Sequence, residues 1–483
     1  MKNQLTICAV LCTSLALFGG CKDDETTTPT QESVELKNHS VTPALIKNVA
    51  SGVTAYPLFS SEDQFANSPG YVFGGGADGA GLLKNSDGTF TMVVNNEDNF
   101  AVSRITLDKT FKPVAGEYLI NSNVGKWRLC SATLATPETH GFGPLFLTAG
   151  ESANTTSGDP SIHAVDPKGA LGNDRLLTAL GHWLAEQALP LPKDAYSGKT
   201  VILIGDDDSG PSGGQLAMYV SNTIGDLDNG NMYVLARTDN NTRERDMTAG
   251  NTYDVEFRQI PNQKTLSAAE INTKVGELKG LVMGRVEDVD FRRGSGNGRE
   301  VYFVATGQAY SSANADSSRT RKGRIYKLVL DANDPLKGKL TCIIDGDDMA
   351  NVGGMNTLCN PDNVCITENY IYISEDENEY GDEPHDGRLL QYNITSKAMK
   401  VIFEIDHHRG DAKYNVGGDS KMGSWESSGM IDISDIVGKP GTFQIGIQGH
   451  TWKADKFKGV DGGANASNYN EGSQILILSG LER

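Results

Sequence analysis

The chain has 483 residues, a formal net charge of −19 at pH 7, 55 glycines and 38% hydrophobic residues. That acidity argues against a nucleic-acid partner, because phosphate backbones demand basic patches, and it suits multivalent cations that offset the excess charge. The length exceeds one ordinary core unless the core grows by repetition, and glycine between short β-branched runs points to an all-β, turn-rich protein.

In chain order, Lys2 is a short basic start and Leu5 to Leu17 form a mostly apolar run. That run is too short to span a bilayer and reads as a secretory signal. Phe18-Gly19-Gly20-Cys21 resembles a lipobox, with Phe18 where an aliphatic residue is usual; it implies loss of residues 1–20 and a lipidated Cys21. Lys22-Asp23-Asp24-Glu25 resembles the acidic tags that send some bacterial lipoproteins to the outer cell surface, and residues 21–50 read as a flexible tether. The expectation is an exported outer-membrane or cell-surface lipoprotein that meets the membrane through its anchor only. Of seven cysteines, loss of Cys8 and Cys12 and lipidation of Cys21 leave Cys130, Cys342, Cys359 and Cys365. In an oxidising compartment Cys359 and Cys365, which bracket Asn360-Pro361-Asp362-Asn363 read as a turn, are a candidate disulfide.

Residues 51–483 read as one domain of short strands punctuated by Gly, Asn and Asp. Predicted strands include Thr91 to Val94, Leu145 to Thr148, Val201 to Ile204, Met232 to Leu235, Val301 to Ala305, Tyr370 to Ile373 and Phe443 to Ile447. Without βαβ alternation these favour a sandwich, barrel or propeller, and the length favours radial repetition. Two stretches read as helices inserted on the faces: Leu176 to Leu189, and Ser267 to Leu278 opening on a capping box. The glycine-rich run Gly74 to Gly81 and the segment Asp226 to Gly230 read as turns, and His407-His408 as surface or loop.

The stretch that organises the chain is Gly284 to Phe291, where Arg285, Glu287, Asp288 and Asp290 fall within six residues. On an extended strand Arg285 and Glu287 share a face, which makes either a surface ion pair of little energy or a pocket rim that grips cation and anion together. Similar acids recur at predicted strand ends: Glu97, Glu151, Glu186, Asp206-Asp207-Asp208, Asp362-Asn363, Asp376 and Glu426. Each alone reads as a solvated turn. Gathered about one axis they supply the six to eight oxygens that Ca²⁺ takes, and the repulsion among them makes a metal the simplest explanation.

In that order the motifs resemble the PhoX-type alkaline phosphatases (DUF839). The matching elements are Asp78-Gly79 with Asn95-Asn96-Glu97, Cys130 through Thr136-Pro137 to Glu151, Gly181 to Ala188, Asp206-Asp207, Arg285-Val286-Glu287-Asp288, Pro361-Asp362-Asn363, Asp376, Glu426 to Gly429, and Gln448-Gly449-His450. The resemblance covers about residues 71–452. It implies a six-bladed β-propeller with short helical insertions and an axial calcium and iron cluster, and hydrolysis of a small phosphorylated substrate. The implied metal ligands are Glu97, Glu151, Glu186, Glu287, Asp362, Asn363, Asp376 and Glu426, with Arg285, Glu287 and Asp362 catalytic and Arg285 clamping the phosphoryl oxygens. The chain departs from the pattern where the family's iron-bound cysteine falls on Ala149, its neighbouring glutamate on Gly150, and two histidines on Asn96 and Ala185. Because thiolate is the soft ligand of such a cluster, the alternatives are a calcium-only propeller hydrolase of lactonase or phytase type, or a non-catalytic calcium-stabilised propeller that binds a ligand or partner.

Overall fold

A computed structural model describes residues 33–483 apart from 152–157, 312, 349–357, 377–384, 418–420 and 465–468. The signal, Cys21 and the first part of the tether lie outside the described residues. The rest of the expected tether is folded: Leu36 and Leu45 are buried, and Ile46–Lys47 pairs antiparallel with Ile405 and Glu404. These apolar side chains find a core to enter, which a polar tether does not.

The β-branched and aromatic runs form antiparallel meanders arranged as a β-propeller. Four strands from Ala77–Lys84 to Pro113–Ile120 make one sheet, and four from Leu129–Ala135 to Arg175–Leu176 another. A third begins at Pro361–Ile366, runs out to Met399–Ile405 and adds Ile46–Lys47 at its edge. A fourth begins at Glu426–Asp432 and ends with Thr54–Ser60 paired to the C-terminal strand Glu471–Ser479, so the two ends of the chain close the ring together. Among the described residues, hydrogen bonding thus draws five sheets rather than six separate blades, because Thr252–Ile260 pairs with Lys337–Asp345 and fuses two meanders into a nine-stranded sheet. The apolar faces of neighbouring sheets pack together, as where Leu147 of the second sheet and Ile204 of the nine-stranded sheet share one cluster.

The first strand of each meander lies innermost. Ala77–Lys84 packs on Leu129–Ala135, then follow Ala185–Pro190, Val286–Phe291, Pro361–Ile366 and Glu426–Asp432, which returns to Ala77–Lys84. Every one of these strands slips register near its start, between Ala77 and Ala80, Leu129 and Ala132, Ala185 and Gln187, Val286 and Val289, Pro361 and Val364, and Ser428 and Ile431. A bulge releases a residue from the ladder and re-aims it. The released residues are Asp78, Cys130, Glu186, Glu287 and Asp362, with Gly429 at the sixth position. Side chains beside them tie strand to strand: Gln187 Nε2 donates to Asp288 Oδ1 at 3.1 Å, Val364 N to Asp288 Oδ2 at 2.8 Å, and Gly429 N to Asn363 Oδ1 at 2.6 Å.

Three readings of the sequence are corrected. Residues 176–189 are not a helix: a short 3-10 turn, Thr178–Leu180, leads into the innermost strand Ala185–Pro190, whose small and apolar residues are needed at the ring. Gly74 to Gly81 is a turn only as far as Gly76, since Ala77–Lys84 is a strand. Cys359 and Cys365 are both buried and are not joined in a disulfide. Pro361–Ile366 is strand rather than turn, and six residues of extended chain hold two thiols about 20 Å apart at full extension, far beyond disulfide reach. The helix Ala268–Glu277 forms as expected, with both capping-box bonds between Ser267 and Glu270.

Gly429 tests how tightly the ring closes. Its φ is +60°, and a Cβ there would stand 2.2 Å from the Asp78 carbonyl oxygen. Gly429→Ala is therefore expected to lower stability by about 1–3 kcal/mol, read as a fall in the denaturant midpoint; an unchanged midpoint would contradict the close approach.

Candidate functional site

The bulged ends of the innermost strands open on a cavity of about 890 Å³. Its carboxylates are Asp78, Glu97, Glu151, Glu186, Asp207, Glu287, Asp362, Asp376, Glu426 and Glu471, set against Arg128, Arg285, His450 and Lys453. Glu97, Glu151, Glu186, Glu287, Asp362, Asp376 and Glu426, far apart in sequence, are thus brought to one wall. Asn363 is buried beside them but does not line the cavity; its Nδ2 donates to Asp362 Oδ1 at 2.8 Å and so orients that carboxylate.

Arg285 precedes the strand Val286–Phe291 in a left-handed conformation, φ +60°, which a non-glycine residue holds only where its surroundings enforce it. Its Nε donates to Asp207 Oδ1 at 2.7 Å, Nη2 meets Glu287 Oε1 at 2.5 Å, and Nη1 lies 3.5 Å from Asp376 Oδ2. Arg128 pairs with Glu97. His450 is held at both nitrogens, by Glu471 at 2.9 Å and Glu426 at 2.9 Å, and Lys453 reaches Glu471 at 3.2 Å. Although burial opposes its charge, Glu471 and Glu426 push the His450 imidazole well above its ordinary range.

Burial, then the mutual repulsion of the acids, dominates the rest of the wall. Burial raises Asp78, with Glu97 adding to it, and raises Glu186, with Glu287 adding to it. Burial likewise lifts Glu287 and Asp362 well above the usual carboxylate range, despite Arg285 beside the former. Glu151 is pushed up to about 8 by burial and then Asp207, and Glu426 to about 8 by burial and then Asp376. Burial and the neighbouring Glu186 raise the Cys130 thiol.

Among the described residues, three groups place candidate ligand atoms within 4.8 Å of one another: Asp78, Glu97 and Cys130; Cys130, Glu151 and Glu186; and Asp362, Asp376 and Glu426. Asp78 Oδ1 is buried with no hydrogen-bond donor among the described residues. Close-set, buried carboxylates with an unsatisfied oxygen fit a hard divalent cation. Cys130 adds a thiol, and it arrives from the neighbouring strand: Cys130 and Ser131 form the bulge opposite Ala149.

Sequence reasoning did not put Asp78, Arg128, Cys130, Asp207, His450, Lys453 or Glu471 among the ligands or catalytic groups. Asp78, Cys130, Asp207 and His450 stood inside the motifs quoted above, and an acid or cysteine at the second position of a strand is the signal that Asp78 and Cys130 share with Glu186 and Asp362. Nothing local marks Arg128, Lys453 or Glu471. Asp226 to Gly230 is the expected turn, with Asp226 Oδ1 accepting from Asp228 N and Asn229 N. His407 is in a loop yet wholly buried.

No family model matches the sequence, and no curated protein does. Among solved structures, Pseudomonas fluorescens PhoX in complex with vanadate, a transition-state analogue, is similar with a TM-score of 0.62 and 15% identity over 92% of this chain and 98% of its own. Penicillium chrysogenum α-L-arabinanase complexed with arabinobiose gives 0.42 at 10% identity over 88% and 99%. The GH93 α-L-arabinofuranosidase of Fusarium graminearum gives 0.42 at 11% over 87% and 97%. The likeness to PhoX establishes a shared propeller fold.

Raised carboxylate pKa values mean that the folded chain binds protons the unfolded chain releases, so stability falls as pH rises from the unfolded carboxylate range through about 8; raised His450 acts in the same direction. In chelator, the melting temperature is expected to increase as pH falls from about 8.5 to about 6, and added calcium to flatten that slope by keeping the acids ionised. Melting curves with the opposite slope in chelator would contradict the buried acidic wall.

Proposed function

We propose that the chain is a metal-dependent hydrolase of small phosphate esters, carried to the outer surface of the cell by a lipid on Cys21. The carrying observation is the set of buried acids from every innermost strand region that lines one cavity together with Arg285. Asp78, Glu97, Cys130, Glu151, Glu186, Glu287, Asp362, Asp376 and Glu426 would hold the cations, calcium foremost because the donors are mostly hard oxygens, with the Cys130 thiol the donor suited to iron. Bound there, divalent or trivalent ions would neutralise phosphoryl oxygens and the charge that grows on them in the transition state.

The chain's own residues would do the rest. Asp207 and Glu287 fix two edges of the Arg285 guanidinium, and Nη1, 3.5 Å from Asp376, is the edge least committed and so the one to meet a non-bridging oxygen. Glu287 and Asp362 hold the cavity floor, with Asn363 orienting Asp362. Arg128 and His450 place further positive charge at the wall, where a developing oxyanion is favoured.

A second reading has its own support: Arg128, Arg285, His450 and Lys453 each already face an acid, as suits a structural calcium site in a ligand-binding propeller. Turnover of p-nitrophenyl phosphate separates the two. Hydrolysis abolished by chelator and by Glu287→Gln, and lowered about 10²–10³-fold by Arg285→Ala, is the expected result. Calcium-dependent melting without turnover would replace the hydrolase with the binding module.

A further inference from the structure

One wall of the cavity holds a hydroxyl that the metal-binding acids do not use. Ser424 lines the cavity beside Thr451, Val416 and Gly417, and its Oγ lies 3.2 Å from His407 Nδ1. The direction of that hydrogen bond follows from the far side of the ring. Thr451 Oγ1 donates its single hydrogen to the Tyr414 carbonyl at 2.6 Å, an atom that can only accept. The same oxygen accepts from Trp425 Nε1 at 2.9 Å, so the 2.7 Å contact with His407 Nε2 requires that nitrogen to donate. His407 is therefore protonated on Nε2, Nδ1 carries a lone pair, and Ser424 must donate to it. The imidazole is wholly buried and stacked 4.6 Å from Trp425 at 24°, which fixes the ring as well as its tautomer. Burial, then Arg409, holds His407 at about 4, so it stays neutral and its Nδ1 open at ordinary pH.

We infer that Ser424 is a nucleophile, activated by His407 as base, that accepts a phosphoryl group from a phosphorus electrophile in the axial cavity. An orienting group, a base and a hydroxyl in series are the arrangement that makes a weak nucleophile competent. The Oγ–P bond forms as the bond to the leaving group breaks, and the Oγ proton passes to Nδ1. With a phosphate ester the departing alkoxide recovers that proton; with a fluorophosphate reagent fluoride leaves and the proton goes to water. Asp386 is the acid whose field favours the imidazolium between the two transfers. The class of natural donor rests on the hydrolase reading above; the nucleophile itself does not.

Diisopropyl fluorophosphate, which is small and uncharged, tests this on the full chain in chelator, with peptide mass spectrometry as readout. The expected result is an adduct on Ser424 that is absent from Ser424→Ala and forms about 10²-fold more slowly in His407→Gln. Thr451→Ser, which keeps the hydroxyl that sets the tautomer, should label as the unaltered chain does, and Thr451→Val more slowly. No adduct on Ser424 in the folded chain overturns the inference, as does equal labelling of His407→Gln; should that variant not fold, equal labelling of Thr451→Val and Thr451→Ser does so. Labelling without ester turnover leaves the nucleophile in place and removes the hydrolase reading, and turnover without labelling does the reverse.

Discussion

Like charges taken out of water repel strongly, and the molecule is arranged around a place where it gathers them. Asp78, Glu186, Glu287 and Asp362 are almost fully buried and face one cavity. Such a wall is tolerated only if some acids stay protonated, if cations neutralise them, or both. Arg285, Arg128 and His450 meet part of the demand. The remaining acids account for the raised titration of the wall and for the fit of divalent ions within it.

Bulges convert a repetitive scaffold into that wall. Along a regular strand the alternation of side chains would send half of these residues into the packed faces between sheets. Releasing Asp78, Cys130, Glu186, Glu287 and Asp362 from the ladder aims them at the axis instead. The residues next to the released ones serve a different purpose. Asp288 and Asn363 bond to the next strand and lock the ring in register. In Val286–Phe291 and Pro361–Ile366 one short stretch thus supplies both the site and the staple that holds it.

The Ser424–His407 pair belongs to another part of the cavity and is built from aromatic packing rather than from acids. Trp425, Tyr414 and Trp452 pack edge-to-face around it, and Thr451 carries the hydrogen-bond direction from a backbone carbonyl to the imidazole. A wall of buried acids and an oriented hydroxyl therefore share one opening.

The chain by itself determined the β-rich class, most strand positions, the capped helix Ala268–Glu277 and seven of the cavity's acids, Glu97 to Glu426, because alternation, capping and acids at strand ends are local patterns. It misplaced residues 176–189, where Ala185 to Pro190 carries helix-compatible residues that packing draws into the innermost ring. It misread Cys359 and Cys365, where an apparent turn is an extended strand. The meeting of Cys130 with Glu151 and Glu186, the three acids around Arg285, and the tautomer of His407 were decided by tertiary structure alone. Each depends on how neighbouring strands slip in register and close the ring, and register is a relation between distant segments that no single stretch of sequence contains.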